Sequence, residues 1–281
     1  MNPFEGNRDP SGIAEGSLAH YAEPAYYTKC YASRRHDVLF YVELAQQRKP
    51  RSMLEYGCGN GRITLPVAAS GTPVVGVDAS PAMIDDLQAR LDAMDTTMQK
   101  RIRLVRGDMR TVRLRQQFDL IVCTFNTFLH LYERQDVENF LARVKQHLAP
   151  QGSFIFDVSV PLCEELGRDP NKPYRIPRMR YPATGDLVRY AEYFDYNPVS
   201  QILNVAMRFE PIDAPERGWT TPLTHRQFHP REIEALLHYN GFVVDEVRAD
   251  FEERPLHGGA DSGVWFTRVA PPRKRSKASQ G

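Results

Sequence analysis

The sequence is short of several things, and each shortage narrows what the chain can be. Four cysteines, Cys30, Cys58, Cys123 and Cys163, are scattered over 281 residues with no C-x-x-C pair. That spacing offers neither a disulfide scaffold nor a cysteine-clasped metal, and the expected setting is a reduced cytoplasm. No apolar run approaches the roughly 20 residues that a membrane-spanning helix needs. The polar opening from Met1 to Gly16, with Pro3 and Pro10, has neither the basic start nor the apolar stretch of a secretion signal, so no membrane role and no export are expected. An excess of charge of one sign is also missing. Lys and Arg total 36 against 35 Asp and Glu, a formal net charge of +1. No global field draws such a chain to nucleic acid, and a partner of that kind would need a local patch. No internal repeat is evident. What remains, 42% hydrophobic and 25% charged, is an ordinary globular composition, long enough for one core with an added subdomain.

Short apolar runs and helical stretches alternate along the first 160 residues. After a helix over Asp37–Ala45, Met53–Tyr56 reads as a buried strand and Ile63–Ala69 as a helix that must begin near Ile63, because Pro66 is tolerated only in a first turn. Val74–Asp78 is a second strand. Ser80-Pro81 supplies an N-cap and a first helical residue for a helix through Met83, Ile84, Leu87 and Leu91. Strands at Ile102–Arg106, Phe118–Thr124 and Ser153–Val158 and a helix at Val137–Leu148 continue the series. This order predicts an α/β fold, a Rossmann-like doubly wound sheet with helices on both faces. From Pro161 to Pro182 the sequence is irregular and proline-rich. Leu187–Tyr196, Gln201–Ile212 and Trp219–Phe228 then alternate in side-chain type and read as an antiparallel meander. A helix at Pro230–His238, stopped by Gly241, and strands at Phe242–Val247 and Gly263–Val269 close the chain. The expected organisation is a mobile N-terminus over 1–17, a core over 18–160 and 229–270, an inserted antiparallel β subdomain over 161–228, and a disordered basic tail over 271–281.

The turn after the first strand is the most informative feature. Gly57, Gly59 and Gly61 stand at alternate positions between a strand and a helix, where missing side chains let backbone touch a ligand. Asp78 ends the next strand, where a carboxylate can accept both hydroxyls of a ribose. The NAD fingerprint places its third glycine three residues after its second, and Arg62 occupies that place. The stretch Glu55 to Gly61 instead resembles the E/D-x-G-x-G-x-G signature of class I S-adenosylmethionine-dependent methyltransferases. Asp78, Gly107-Asp108-Met109, Phe118-Asp119-Leu120-Ile121-Val122 and His147 to Gly152 follow in that family's order. The resemblance implies a seven-stranded sheet ending in an antiparallel hairpin, with S-adenosylmethionine as cofactor. It implies that Glu55, Gly57, Cys58, Gly59 and Gly61 surround the methionine part and that Asp78 holds the ribose. It further implies that Ala79 and Met83 pack near the adenine, that Asp108 accepts from its amino group, that Met109 forms an apolar wall, and that Phe125 and Asn126 face the cofactor.

The acceptor is less legible. His130, after the fourth strand, is a candidate to take a proton from an acceptor hydroxyl or ammonium, and equally reads as a packing histidine. Tyr21, Tyr26, Tyr27 and Tyr31 are candidates to close over a sulfonium, with Tyr27 the catalytic choice among them. His225 and His229 have the spacing of two helical metal ligands, but Pro230 starts the helix after them and no third ligand is evident, so no metal is expected. The insert is large enough to enclose a small-molecule acceptor and resembles the sheet-bearing branch that includes amino-sugar N,N-dimethyltransferases. The Pro161–Pro182 segment does not match that branch, which leaves sugar specificity without support. Methylation of nitrogen or oxygen on a small molecule is the leading expectation. The alternatives are an RNA methyltransferase, favoured by Arg273, Lys274, Arg275 and Lys277 and by Arg175, Arg178, Arg180 and Arg189, a non-catalytic cofactor-binding module, and an NAD-dependent oxidoreductase. Thr124-Phe125-Asn126-Thr127 lacks the Asn/Asp-Pro-Pro-aromatic sequence of base-amine methylases, which counts against nucleic acid. A homodimer contact through the inserted sheet is left open.

Overall fold

In a computed structural model, which describes Phe4, Ile13, Gly16 and residues 18–271, the alternation of strand and helix is present in the expected order. Helices α1 (Pro24–Tyr31) and α2 (His36–Arg48) lead into β1 (Met53–Tyr56), followed by α3 (Thr64–Ala69), β2 (Val74–Asp78), α4 (Pro81–Asp92), α5 (Thr96–Arg101), β3 (Ile102–Arg106), β4 (Phe118–Cys123), α6 (Arg134–His147) and β5 (Leu148–Ser159). After α7 (Cys163–Leu166) come β6 (Tyr174–Arg180), β7 (Leu187–Asn197), β8 (Ile202–Pro211) and β9 (Trp219–Arg226), then α8 (Pro230–Tyr239), β10 (Phe242–Ala249) and β11 (Ser262–Val269).

Seven strands form one sheet in the order β10-β11-β5-β4-β1-β2-β3. The five from β3 to β5 run parallel, and β11 lies antiparallel between β5 and β10. All four side chains of β1 are buried. Leu54 and Tyr56 pack with Ile121, Phe154 and Phe156 in one apolar cluster, while Met53 packs with Val122 and Ile155 in another on the opposite face. Burying each such side chain contributes about 1.5–3 kcal/mol, which is why these strands read as apolar runs and not as alternations. At α4 the Ser80 hydroxyl accepts from Met83 N at 3.4 Å and Pro81 takes the first helical position, as its sequence predicts.

The other four strands form a separate antiparallel sheet in the order β6-β7-β8-β9. Val188, Tyr190, Phe194, Val205 and Phe209 form its apolar face. Tyr26 of α1 enters that cluster, stacked on Tyr181 at 5.5 Å between centroids and edge-on to Phe209 at 5.2 Å. Tyr26 is thus a packing residue of the inserted sheet and does not close over the cavity described below.

Three features depart from the sequence reading. The Pro161–Pro182 segment, expected to be irregular, contains α7 and β6, so the meander has four strands. Pro177 is admissible there because β6 is an edge strand and its register shifts between Ile176 and Met179. Helix α5 was hidden because none of its side chains is buried and no apolar period marks it; Asp95 caps it by accepting from Thr97 N and Met98 N. Helix α6 begins at Arg134, three residues early, through a capping box of Glu133 and Asp136. The expected mobility of 1–17 falls outside the described residues except at Phe4, which is buried, and at Ile13 and Gly16, and the expected disorder of 271–281 falls outside them from residue 272 onward. Among the described residues no helix is long and apolar enough to cross a membrane.

Candidate active site

A cavity of about 560 Å³ opens at the carboxyl ends of the parallel strands, where the order of an open α/β sheet reverses between β1 and β4. The volume suits a nucleoside-sized ligand. Glu55, Gly57, Cys58 and Gly59 line it from the first turn, Asp78 and Ala79 from the end of β2, Asp108 and Met109 from beyond β3, and Phe125 from beyond β4. Tyr27 and His130 line it too. Gly61, Met83 and Asn126 are absent from its wall. Gly61 instead makes room for packing, since a Cβ there would lie 2.4 Å from Leu87. Met83 is buried on α4 at 1% exposure. The Asn126 amide is turned to Ser159, accepting from its N at 2.7 Å.

Backbone geometry explains the glycines. Gly57 has φ +70°, and a Cβ there would meet Thr127 Cγ2 at 2.3 Å; Gly59 has φ +51°, with nothing within 4 Å of its Cβ position. Gly57 therefore serves a close approach between two turns, and Gly59 an open edge of the cavity that a side chain would fill.

Asp78 fixes the same turn. Its Oδ2 accepts from Gly59 N at 2.7 Å and its Oδ1 from Ser80 N at 2.8 Å. Burial raises its pKa, against the lowering by those backbone donors. Each carboxylate oxygen keeps a further lone pair for a ribose hydroxyl. Glu55, at 1% exposure, accepts from Thr64 Oγ1 at 2.5 Å and from Thr124 Oγ1 at 3.0 Å. Burial pushes its pKa up to about 8, against the lowering by the two threonine hydroxyls. Burial also acts to raise Asp108, but hydrogen bonds from Arg110 outweigh it and hold the carboxyl below the usual carboxylate range. Arg110 Nε lies 3.0 Å from both Asp108 oxygens, and its NH1 donates to Asp136 at 2.8 Å. A ligand amino group at Asp108 would share the carboxylate with that guanidinium. Burial places the Cys58 thiol far above its ordinary range, which makes it a wall and not a nucleophile.

The tyrosines divide. Tyr21 and Tyr27 line the cavity, with rings 5.9 Å apart, whereas the Tyr31 hydroxyl is engaged by His20 Nε2 at 3.0 Å. The Tyr21 hydroxyl lies 2.7 Å from His130 Nε2, and His130 Nδ1 lies 3.1 Å from the Tyr132 hydroxyl. Tyr132 donates to Thr224 O at 3.0 Å. With that proton committed, the Tyr132 oxygen accepts Nδ1–H, and the tautomer assigned to His130 leaves Nε2 to accept from Tyr21. Burial, helped by nearby His20, lowers the His130 pKa to about 4, so the ring is neutral at physiological pH. His225, on β9, sits 5.0 Å from His130 between ring centroids. Its Nε2 is buried with no hydrogen-bond partner among the described residues. Among them, no group of three His, Cys, Asp or Glu could hold a metal ion.

Sequence reasoning gave no site role to several cavity residues, Ile13, Leu18, Arg62, Arg110 and Tyr132 among them. Arg62 was read only as a departure from a glycine pattern, and Arg110 and Tyr132 carry no motif; only the folded loops bring them to the wall.

Residues 53–152 match the family model of a methyltransferase domain. The cypemycin N-terminal methyltransferase of a Streptomyces species is 32% identical over 112 residues, which are 40% of this chain and 43% of that protein. The chain spans less than half the length of the curated relatives such as this one that it matches over the core. Among solved structures, the CcbJ methyltransferase from Streptomyces caelestis aligns with a TM-score of 0.71 at 23% identity, covering 84% of this chain and 89% of its own. CalS10 with S-adenosylmethionine bound, an amino pentose methyltransferase from Micromonospora echinaspora involved in calicheamicin biosynthesis, aligns with a TM-score of 0.63 at 21% identity, covering 86% and 96%. At these identities the two structures speak to the fold alone, and that fold includes the region beyond the matched domain.

Proposed function

We propose that this chain, whose core is a class I S-adenosylmethionine-dependent methyltransferase domain, transfers a methyl group to a nitrogen or oxygen of a small-molecule acceptor. One observation carries the reading: the glycine turn, Asp78 and the Tyr21–His130 pair share a single cavity. The cofactor, when bound, supplies a methyl carbon on a positively charged sulfur. Asp78 would hold its ribose, Ala79 and Met109 its adenine, and Glu55 with the Gly57–Gly59 turn its methionine end. The remaining task of the protein is alignment and exclusion of water. Alignment alone can lower such a barrier by roughly 7–11 kcal/mol. Ile13 and Leu18 help cover the cavity from the N-terminal side.

An acceptor N–H or O–H that gains a methyl group must give up its proton. The neutral His130 ring, with Nε2 facing the Tyr21 hydroxyl, is placed to receive it through Tyr21, and the Tyr132–Thr224 contact holds the imidazole in the tautomer required. Tyr27 would contribute an aromatic wall beside the sulfonium. The cypemycin enzyme, named for methylation of an N-terminus, supports nitrogen as the methylated atom.

The test is a calorimetric titration with S-adenosylmethionine and S-adenosylhomocysteine, with NAD for comparison, followed by a screen of small amines and hydroxylated compounds for methyl transfer. Micromolar binding of both sulfur compounds and a methylated product are expected. Binding of NAD alone would overturn the assignment.

A further inference from the structure

Helix α2 carries two side chains that the chemistry above leaves unused. Asp37 and Tyr41, one helical turn apart, share a face and are both buried, at 5% and 1% exposure. Each is tied to a different loop of the cavity.

Asp37 holds Arg62, the residue that follows the glycine turn. Arg62 NH1 donates to Asp37 Oδ2 at 2.5 Å and its NH2 to Oδ1 at 2.7 Å, a two-pronged ion pair, and NH2 also donates to Arg34 O at 2.6 Å. Tyr41 holds Asp157 on β5, donating to its Oδ1 at 2.6 Å, while Asp157 Oδ2 accepts from Phe125 N at 2.9 Å. Phe125 and Asn126 have φ of 53° and 66°, two consecutive residues other than glycine in the left-handed region. That conformation is unfavourable for side-chain-bearing residues and persists only where the surroundings over-determine it. Here Asp157 fixes the Phe125 amide and Ser159 fixes the Asn126 side chain from both ends, at 2.7 and 2.9 Å. The two loops then meet: the Arg62 guanidinium lies 4.4 Å from the Phe125 ring centroid. Glycine would satisfy the backbone at position 125 with less strain, so the ring itself is what the arrangement retains.

We propose that α2 is a bracket in which Asp37, and Tyr41 through Asp157, clamp Arg62 and Phe125 against each other, fixing the spacing between the two loops that wall the cavity. Asp37, Tyr41 and Asp157 are positioning residues; Arg62 and Phe125 are the surfaces they position. The bracket's role in methyl transfer rests on the function proposed above, but its mechanical part does not.

The experiment measures hydrogen–deuterium exchange over residues 57–63 and 124–131 in the wild type, Tyr41→Phe, Asp157→Asn and Asp37→Asn, with S-adenosylhomocysteine affinity by calorimetry in each. Asp37→Asn leaves a buried guanidinium less well paired and is the variant at risk of misfolding; Tyr41→Phe removes one oxygen and keeps the packing. In Tyr41→Phe, exchange should rise in both loops, including 57–63, which Tyr41 does not touch, and affinity should fall by about five- to tenfold. A rise confined to 124–131 in Tyr41→Phe overturns the bracket, as does affinity within twofold of the wild type in every folded variant. If the wild type binds no S-adenosylhomocysteine, the cofactor assignment fails, and the exchange pattern over the two loops alone upholds or overturns the bracket.

Discussion

The seven-stranded core lines the cavity, whereas the inserted four-stranded sheet stands behind its wall, and the two act on it by different means. In the core, the cavity wall is built into the backbone: β1 is buried along its whole length, Gly57 and Gly59 take left-handed conformations, and Gly59 N donates to Asp78. The insert acts through side-chain choice. Strand β7 alternates between exposed and buried positions at its start, and what β9 brings near His130 is the ring of His225 and the carbonyl of Thr224, which accepts from Tyr132. Backbone devices demand particular residues at particular spacings, whereas a sheet face accepts many side chains. The core should therefore govern cofactor affinity and the insert the choice of acceptor.

The sharpest attempt to break that division is Asp78→Ala. The side chain would hold the ribose, and it also fixes the glycine turn through Gly59 N, so both losses fall on one substitution. We expect S-adenosylhomocysteine affinity to fall about a hundredfold, near 2.7 kcal/mol, with the fold retained. Unchanged affinity by calorimetry would remove Asp78 from the ribose and move the weight of binding away from the core.

A second test separates the glycines. Gly57→Ala drives a methyl group into Thr127 at 2.3 Å, while Gly59→Ala meets nothing and bears only the cost of its left-handed backbone. In thermal unfolding Gly57→Ala should cost about 2 kcal/mol and Gly59→Ala about 1 kcal/mol. Adding Thr127→Ala should recover part of the first loss and none of the second. Equal losses, or no recovery, would show that the turn is strained for another reason.

How much of this was legible beforehand follows from the same contrast. The glycine turn, Asp78 and the strand order could be read because each is forced by backbone geometry or by burial on two faces. Strand β6 could not, because an edge strand shows no buried alternation and tolerates Pro177. Arg62 was visible only as a departure from a glycine pattern, since its partner Asp37 lies 25 residues earlier and its stacking on Phe125 depends on a left-handed step that no residue type announces. His130 could be nominated from its place after β4. Its partner Tyr132 is only two residues on, but Tyr21 and the neighbour His225 come from two other segments and share no spacing with it.

On the insert side, once an acceptor is known, His130→Ala should lower turnover about tenfold, or roughly 1.4 kcal/mol, and change S-adenosylhomocysteine affinity less than twofold. His225→Ala should likewise move turnover or the acceptor KM and leave cofactor affinity alone. A loss of cofactor affinity in His225→Ala would breach the boundary between the two regions, and normal turnover in His130→Ala would return that histidine to a packing role.

The last test concerns Glu55, where core geometry and ligand charge meet. Burial raises its pKa from 4.5 to about 8, so between those values the folded chain holds a proton that the unfolded chain has released. Stability contributed by that protonated form is fully present below about pH 4.5 and is lost as pH rises through about 8, with a slope no steeper than about 1.4 kcal/mol per pH unit. Glu55→Gln keeps the neutral shape and should abolish that slope in the ligand-free protein, making the variant the more stable of the two above pH 8. A bound ammonium group reverses the preference and favours the carboxylate. At pH 7 the wild type should then release about one proton on binding S-adenosylhomocysteine, seen as a dependence of the binding enthalpy on the ionisation enthalpy of the buffer, and Glu55→Gln should release none. Equal proton release in both proteins would place the ligand's ammonium group away from Glu55, and with it the methionine end of the cofactor.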